Sequence, residues 1–433
     1  MKPGAAGAFE VPAGRPARAI RCRPPGSKSL TNRALIAAAL CRAPLELAGA
    51  LESEDTERAS AALRSFGCRI EKSAAGWRLD GTRMAAVAGQ PEIQLGNAGT
   101  AMRFLAAVFC ALGWPCRLDG TPRMRERPIE PLLAALRELG GTIACERPTG
   151  CPPVLVGGGG IAGGNIELAG SISSQFFSGL MLAAPLARAA VRVHATGDWV
   201  SKPYIEMTAK LMRAFGVEAK VSGRAVAVAS GQRYVSPGRY EIEPDASAAT
   251  YPLGLGALHG VPVALEGLGS ASIQGDMAFA GELARMGARL AWSATSLRAE
   301  FPGRLQGIES DLSAIPDAAM TLVTLACVAQ GRSHFTGLAN LRLKESDRIA
   351  ALETELNKLG ARVRAGQDGF SIEGVEPSAL RPAEIATYDD HRIAMCLGIL
   401  GTLVPGTRVR DPGCVAKTYP RFWEDLALWL RGS

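Results

Sequence analysis

No two of the ten cysteines form a CxxC pair, and the four histidines do not join them at zinc-ligand spacing. That removes a structural metal site and leaves the reduced, scattered thiols of a cytoplasmic protein. Aromatic residues are only 6% of the 433, and no recognition helix or base-stacking motif accompanies the net charge of +7, so nucleic acid is not the expected partner. No apolar run approaches the roughly 20 residues that cross a bilayer; the longest, around LAAVFCALGWP, reads as a core helix followed by a turn, and no membrane association is expected. The opening stretch MKPGAAGAFEVPAGRPARAI has no continuous apolar segment, which argues against a secretory signal. What remains is a chain 47% apolar, able to bury ample core in more than one domain.

The chain repeats itself. Six apolar helices are predicted to begin at polar residues near Lys28, Asn97, Ser174, Ser247, Asp317 and Asp390, at intervals of roughly seventy residues. In phase with them, a second set of helices ends in a stop glycine: LRSFGCRI, LRELGGTI, MRAFGVEA, LARMGARL and LNKLGARV close at Gly67, Gly140, Gly216, Gly287 and Gly360, and a degenerate LALWLRG closes at Gly432. DAAMTLVTLACVAQG is apolar on nearly every face and must be buried, whereas ALETELNKLG carries charge on one side and should meet solvent. Each unit then reads strand, buried helix, strand, outer helix, strand pair, six times over in two lobes of three. Helix starts carry partial positive charge and free N–H groups, so six of them offer anion-binding ends; plain capping is the bland alternative for any single one.

The polar starts sit in short motifs rich in cations. PGSKSLTNR (25–33) places Lys28 between two serines, without the spacing of a Walker A loop. LGNAGTAMR (95–103) offers Gly99, where a ligand can approach the backbone closely, and Arg103 in the first turn. RMRERPI (123–129) sets Arg123, Arg125 and Arg127 at alternate positions, which suits either a solvated loop or bidentate capture of carboxylate or phosphate. SISSQ (171–175) and SKPY (201–204) add hydroxyls and an amide. The acids come later: Asp317 in IPDAAM, then Lys344, Glu345, Asp347 and Arg348 within NLRLKESDR, with Arg392 in DHR (390–392) and Lys417 in AKTYP (416–420). A carboxylate among so many cations should have a lowered pKa.

Taken in order, PGSKSLTNR, LGNAGTAMR, RMRERPI, SSQF, SKPY, IPDAAMT, NLRLKESDR, DHRIAM and AKTYP closely resemble the 5-enolpyruvylshikimate-3-phosphate synthase family, the enolpyruvyl transferases of the shikimate pathway, from about residue 20 to the end. The resemblance implies an α/β, two-lobed enolpyruvyl transferase fold, each lobe three βαβαββ units with buried parallel helices, an inside-out α/β barrel. It implies one lobe of residues 1–26 and 244–433, another of 27–243, and an active site in the interlobe cleft. It also implies that shikimate-3-phosphate meets Lys28, Ser29, Arg33, Ser173, Ser174, Gln175, Ser201, Tyr204, Asp317, Asn340 and Lys344, and that phosphoenolpyruvate meets Lys28, Gly99, Arg127, Gln175, Arg348, Arg392 and Lys417. Asp317 would be the base for the 5-hydroxyl, and Glu345, helped by Lys28, the acid that protonates the methylene carbon. No metal or organic cofactor is implied, and the enzyme would be a cytoplasmic monomer. Cations and helix starts divided between two lobes repel one another, so ligand anions are expected to draw the lobes together.

The nearest alternative is the UDP-N-acetylglucosamine enolpyruvyl transferase family, which shares the phosphoenolpyruvate chemistry but carries a reactive cysteine in the loop matching GTPRMRERPI. None occurs between Leu118 and Pro131, and Cys116 falls in a predicted strand. One departure from the resembled family stands out: Phe104 follows Arg103, where members sensitive to glyphosate carry proline.

Overall fold

The computed structural model describes residues 7–73 and 76–431; the stop glycine expected at Gly432 lies outside them. Contacts divide the chain into two units, Gly26–Glu243 and Met1–Pro25 with Pro244–Ser433. The first holds α1 (Lys28–Leu40), α2 (Glu54–Ser65), α3 (Gly99–Leu112), α4 (Glu130–Glu138), α5 (Ser174–Ala183) and α6 (Lys202–Ala214). The second holds α7 (Ala246–His259), α8 (Ala278–Arg285), α9 (Pro316–Ala326), α10 (Arg348–Lys358), α11 (His391–Gly401) and α12 (Phe422–Arg431).

Apolar content sorts the helices. Every residue of α11 is buried, as is every residue of α3 except Leu112 and of α9 except Asp317. By contrast α10 buries only the stripe Arg348, Ile349, Ala351, Leu352, Glu355 and Leu356, the spacing of one helix face. Odd-numbered helices therefore form the core of each unit. Gly179 on α5 lets that helix approach α3, since a Cβ there would stand 3.2 Å from the Arg103 carbonyl oxygen.

The five internal stop glycines have φ between 78° and 109°, the left-handed region. Each closes its helix in the same way. In α2 the Gly67 N–H donates to Arg64 O at 2.9 Å and the Cys68 N–H to Leu63 O at 3.2 Å; Gly141 to Leu136, Val217 to Met212, Ala288 to Leu283 and Ala361 to Leu356 repeat the second bond. This is the Schellman arrangement, and it turns the chain directly into the next strand.

Sheets follow one plan. Glu92–Gln94 runs parallel to Cys116–Asp119 across α3, Cys116–Asp119 pairs antiparallel with Val154–Val156, and that strand pairs antiparallel with Ile143–Cys145. Gly164–Ala169 with Val191–Thr196, and Glu309–Asp311 with Arg332–Thr336, begin sheets of the same order. In each unit the first repeat takes its parallel strand from elsewhere in the chain: Arg239–Glu241 beside Pro44–Ala48, and Ile20–Cys22 beside Val263–Glu266. The last sheet is three-stranded, with Phe9–Glu10 antiparallel to Arg408–Val409. Terminal segments thus cover edges that would otherwise expose unpaired N–H and C=O groups. Among the described residues no helix is long and apolar enough to cross a membrane.

Candidate active site

The six polar helix starts divide into two chemical kinds. Four carry a side-chain cap: Ser27 accepts from Leu30 N–H, Ser173 from Gln175 N–H, Asp245 from Ala248 N–H and Asp390 from Arg392 N–H. The other two, α3 and α9, begin at Ala98 and Ile315 with no side-chain cap. The polar residues expected there, Asn97 and Asp317, turn their oxygens to guanidinium groups instead.

In the unit Gly26–Glu243, Arg127 is buried and donates from Nη1 to the Asn97 carbonyl at 3.2 Å and to its Oδ1 at 3.0 Å; its Nε is buried with no hydrogen-bond partner in the protein. Gly99 lies against it. Arg103 crosses nearby, donating to Gly99 O and Pro128 O at 2.9 Å each. Gln175 donates to the Thr100 hydroxyl at 3.2 Å, tying the start of α5 to the start of α3. Lys28, the first residue of α1, holds its Nζ 3.4 Å from the buried carboxylate of Asp55. Ser174 is buried, and Ser201 is buried with φ 55°, directly before α6, whose first turn carries Tyr204.

Arg33 has a different placement from the other cations. Only 1% exposed, it donates to Thr208 Oγ1 at 2.7 Å, Ser178 Oγ at 3.1 Å, the Ser29 carbonyl at 2.9 Å and the Tyr204 carbonyl at 3.5 Å. Burial pulls its pKa down to about 9. The Phe104 ring, fully buried, lies 4.9 Å from its Cζ, so the residue that departs from the usual proline covers the guanidinium face. Arg33 therefore braces the backbone of two expected ligand residues, Ser29 and Tyr204.

The three arginines of RMRERPI, open between a solvated loop and anion capture, have separate partners. Met124–Glu126 forms a 3-10 turn in this run. Arg123 pairs with Glu126 at 2.8 Å and Arg125 with the buried Asp119 at 2.6 Å, leaving Arg127 as the arginine of this loop that reaches Asn97.

The second unit gathers a mixed charge cluster at the starts of α9, α10 and α11. Arg348, 1% exposed, grips Asp390 from Nε at 2.8 Å and Nη2 at 3.2 Å, Glu345 from Nη2 at 2.9 Å and Asp317 from Nη1 at 3.0 Å. Burial works against its charged form, but Asp390, Glu345 and Asp317 outweigh that and hold the proton more tightly than usual. Arg392 reaches Asp317 at 3.1 Å, Lys344 lies 3.5 Å from the same carboxylate, and Lys417 lies 3.8 Å from Glu345. Burial alone would raise the pKa of Asp317; Arg392, Lys344 and Arg348 overcome it and keep the group well below the usual carboxylate range. Asn340, in the 3-10 turn Ala339–Leu343, buries an Oδ1 that accepts no hydrogen bond from the protein.

Sequence reasoning missed the groups that orient these cations: Asp390 as the two-point partner of Arg348, the Ser346 hydroxyl that donates to Asp390 at 3.0 Å, and Asp55 beside Lys28. In the sequence Asp390 reads only as a helix start, because its role depends on a residue 42 positions away. Among the described residues no group of three or more His, Cys, Asp or Glu side chains could hold a metal ion. All ten thiols have raised pKa values, with burial the first cause in each; Cys116, in its strand, is pushed up to about 12.

Residues 19–426 match the family described as EPSP synthase (3-phosphoshikimate 1-carboxyvinyltransferase). The chain is 44% identical over 431 residues to the 3-phosphoshikimate 1-carboxyvinyltransferase of Bordetella pertussis, covering 97% of each protein. It is 45% identical over 410 residues to that of Thiobacillus denitrificans, covering 94% of this chain and 95% of the relative. Its fold is similar to the solved EPSP synthase of Acinetobacter baumannii, with a TM-score of 0.80 at 27% identity over 97% of this chain and 98% of that one. With a family match across residues 19–426, 44% identity to one such enzyme over nearly the full length of both proteins and a fold similar to a solved member, the chain belongs to the EPSP synthase family.

Proposed function

We infer that the chain transfers the enolpyruvyl group of phosphoenolpyruvate to the 5-hydroxyl of shikimate-3-phosphate and releases phosphate, the carboxyvinyl transfer of the shikimate pathway of aromatic amino acid biosynthesis. The observation that carries this reading is the cluster around Arg348, where two acids suited to proton transfer, Asp317 and Glu345, share one guanidinium amid Arg392, Lys344 and Lys417. Two phosphates and two carboxylates repel one another, and fixed cations and N–H donors offset that repulsion. Each preorganised donor of this kind contributes about 3 kcal/mol to lowering a barrier.

In this reading shikimate-3-phosphate is held by Lys28, Ser29, Arg33, Ser173, Ser174, Gln175, Ser201, Tyr204, Asp317, Asn340 and Lys344. Phosphoenolpyruvate is held by Lys28, Gly99, Arg127, Gln175, Arg348, Arg392 and Lys417. Asp317 takes the proton of the 5-hydroxyl as that oxygen bonds to the central carbon of phosphoenolpyruvate, and Glu345, with Lys28, delivers a proton to the methylene carbon. The tetrahedral intermediate then loses phosphate and one methyl proton, which restores the double bond. A carboxylate pinned by three cations is a weak base. Ligand anions that draw Arg348, Arg392 and Lys344 toward themselves remove part of that pinning, so substrate binding itself raises the basicity of Asp317.

The rival acceptor, UDP-N-acetylglucosamine, is not favoured: the thiol nearest the relevant loop, Cys116, is buried in a strand with its pKa pushed up to about 12. In the same reading the enzyme is a cytoplasmic monomer, which light scattering and fractionation test. The decisive assay combines purified protein, phosphoenolpyruvate and shikimate-3-phosphate and follows phosphate. Release with UDP-N-acetylglucosamine in place of shikimate-3-phosphate would reassign the acceptor, and no release with either would defeat the reading.

A further inference from the structure

The turn that presents Asp390 is strained and strapped. Tyr388 and Asp389 both have positive φ, 55° and 53°, and the Asp390 N–H donates to the Thr387 carbonyl at 2.8 Å across them. Two left-handed central residues make the I′ pattern, which ordinarily calls for Asn-Gly or Gly-Gly because a side chain at those angles meets its own backbone. Neither residue here is glycine. Strain of this kind persists only where the surroundings over-determine it.

The surroundings are supplied by α10. Glu355 is fully buried, and its carboxylate accepts from the Ala386 N–H at 3.0 Å, from the Tyr388 hydroxyl at 2.7 Å and from Lys358 at 2.7 Å. Seven residues earlier on the same helix stripe, Arg348 grips Asp390. So α10 fastens the segment 386–390 twice, with Glu355 holding its start and middle and Arg348 its end. Tyr388 is otherwise outward-facing, 45% exposed, and its phenol, pushed up to about 12 by burial first and Glu355 second, stays a donor throughout the working pH range.

We propose that Glu355 and Tyr388 are positioning residues for phosphoenolpyruvate binding: by clamping the left-handed turn they set Asp390, and Asp390 sets the guanidinium of Arg348 and the N–H of Arg392, the second residue of α11. The inference rests on the assignment of Arg348 and Arg392 to phosphoenolpyruvate made above. The clamp acts through Asp390. A tyrosine that merely tied down a loop would affect stability and nothing else, whereas this one governs the placement of one substrate's partners.

The test is steady-state kinetics with both substrates on the intact enzyme, comparing the parent with Tyr388→Phe and with the double variant Tyr388→Phe/Asp389→Gly. Removing the hydroxyl takes away the clamp's hold on the middle of the strained turn, so Tyr388→Phe should raise KM for phosphoenolpyruvate about tenfold, the lower end of what losing a hydrogen bond to a charged group costs, while kcat and KM for shikimate-3-phosphate stay within about twofold. Glycine at position 389 relieves the strain and should bring KM for phosphoenolpyruvate back to within about twofold of the parent. Unchanged KM in Tyr388→Phe, an equal loss for both substrates, or failure of glycine to rescue would each overturn the proposal. Absence of turnover in the parent itself would instead defeat the functional assignment on which it rests.

Discussion

Replacing Gly99 by alanine should weaken the hold on phosphoenolpyruvate without unfolding the protein. Gly99 is the first residue of α3 and does not adopt a positive φ, so the backbone accepts alanine and even gains up to about 1 kcal/mol of helix propensity. The added Cβ, however, would stand 2.6 Å from Nη2 of Arg127 and 2.8 Å from Nη1 of Arg103. Carbon and nitrogen in contact prefer about 3.5 Å, so the Arg127 guanidinium must retreat by roughly 0.9 Å. It is tethered to Asn97 at 3.2 and 3.0 Å, and a retreat of that size takes at least one of these bonds out of range. A hydrogen bond involving a charged group contributes about 1.5–3 kcal/mol, which corresponds to a rise in KM for phosphoenolpyruvate of roughly ten- to a hundredfold. The phosphate-release assay measures both KM values, and a thermal melt accompanies it. KM for shikimate-3-phosphate should hold within about threefold and Tm should equal or exceed that of the parent. A phosphoenolpyruvate KM within about twofold of the parent would refute the reasoning, because it would mean that displacing Arg127 costs the ligand nothing.

Glu345→Gln and Asp317→Ala should each keep the fold and lose most turnover; near-normal rates in either, with circular dichroism unchanged, would remove that residue from proton transfer. Cys116→Ala should retain turnover within about twofold, since its thiol is buried and protonated, and a large loss would revive the cysteine-dependent rival. His259, whose Nε2 lies 2.8 Å from the Thr402 hydroxyl, has its pKa pushed down to about 4 by burial first and Arg15 second. The unfolded chain takes up that proton near pH 6.5 while the native state resists it, so this residue's contribution is lost as pH falls from about 6.5 toward 4, by at most about 3 kcal/mol and less for the part of the ring that solvent screens. His259→Gln should therefore show a smaller drop in Tm than the parent over that window; parallel curves would contradict the assignment.

Repetition made the fold legible. Five stop motifs share a pattern of Leu or Met, a charged or small residue, and glycine, because the Schellman closure demands a left-handed residue followed by an apolar contact, and a demand on backbone geometry shows in the residue itself. Buried helices were legible for a related reason: a helix enclosed on all sides must be apolar on all sides. Even α7, with Pro252 inside it and Gly254 and Gly256 after, belongs to the set, since a Cβ at Gly254 would meet Ile399 at 2.8 Å and Thr321 at 3.0 Å, and the close packing of α7 on α9 and α11 selects small residues over good helix formers. Helix starts were placed only to within a residue or two. Asn97 and Asp317 are typical capping residue types, and only three-dimensional context shows that neither caps.

Partner choice in the charge cluster was not legible, and the reason is desolvation. Read locally, Arg348 follows directly on Asp347, and the motif by itself suits an exposed, self-paired cluster. In the structure Asp347 caps α10 through the Ala350 N–H at 3.1 Å and pairs with Arg342 at 3.0 Å. Arg348 turns inward, and a guanidinium with 1% exposure must recover its lost hydration from carboxylates that arrive on other elements, here Asp390 at 42 residues' distance and Asp317 at 31. Nothing in a linear motif records which acids those are. What the motif does record is that the residue is arginine: a planar fork with five donors can bind Asp390 at two points and still reach Asp317 and Glu345, and a lysine could not. Arg348→Lys is accordingly expected to destabilise the protein by roughly 3–5 kcal/mol, as for a buried pair left uncompensated, and a melt showing less than about 1 kcal/mol of loss would mean that the three carboxylates do not depend on the guanidinium for their place.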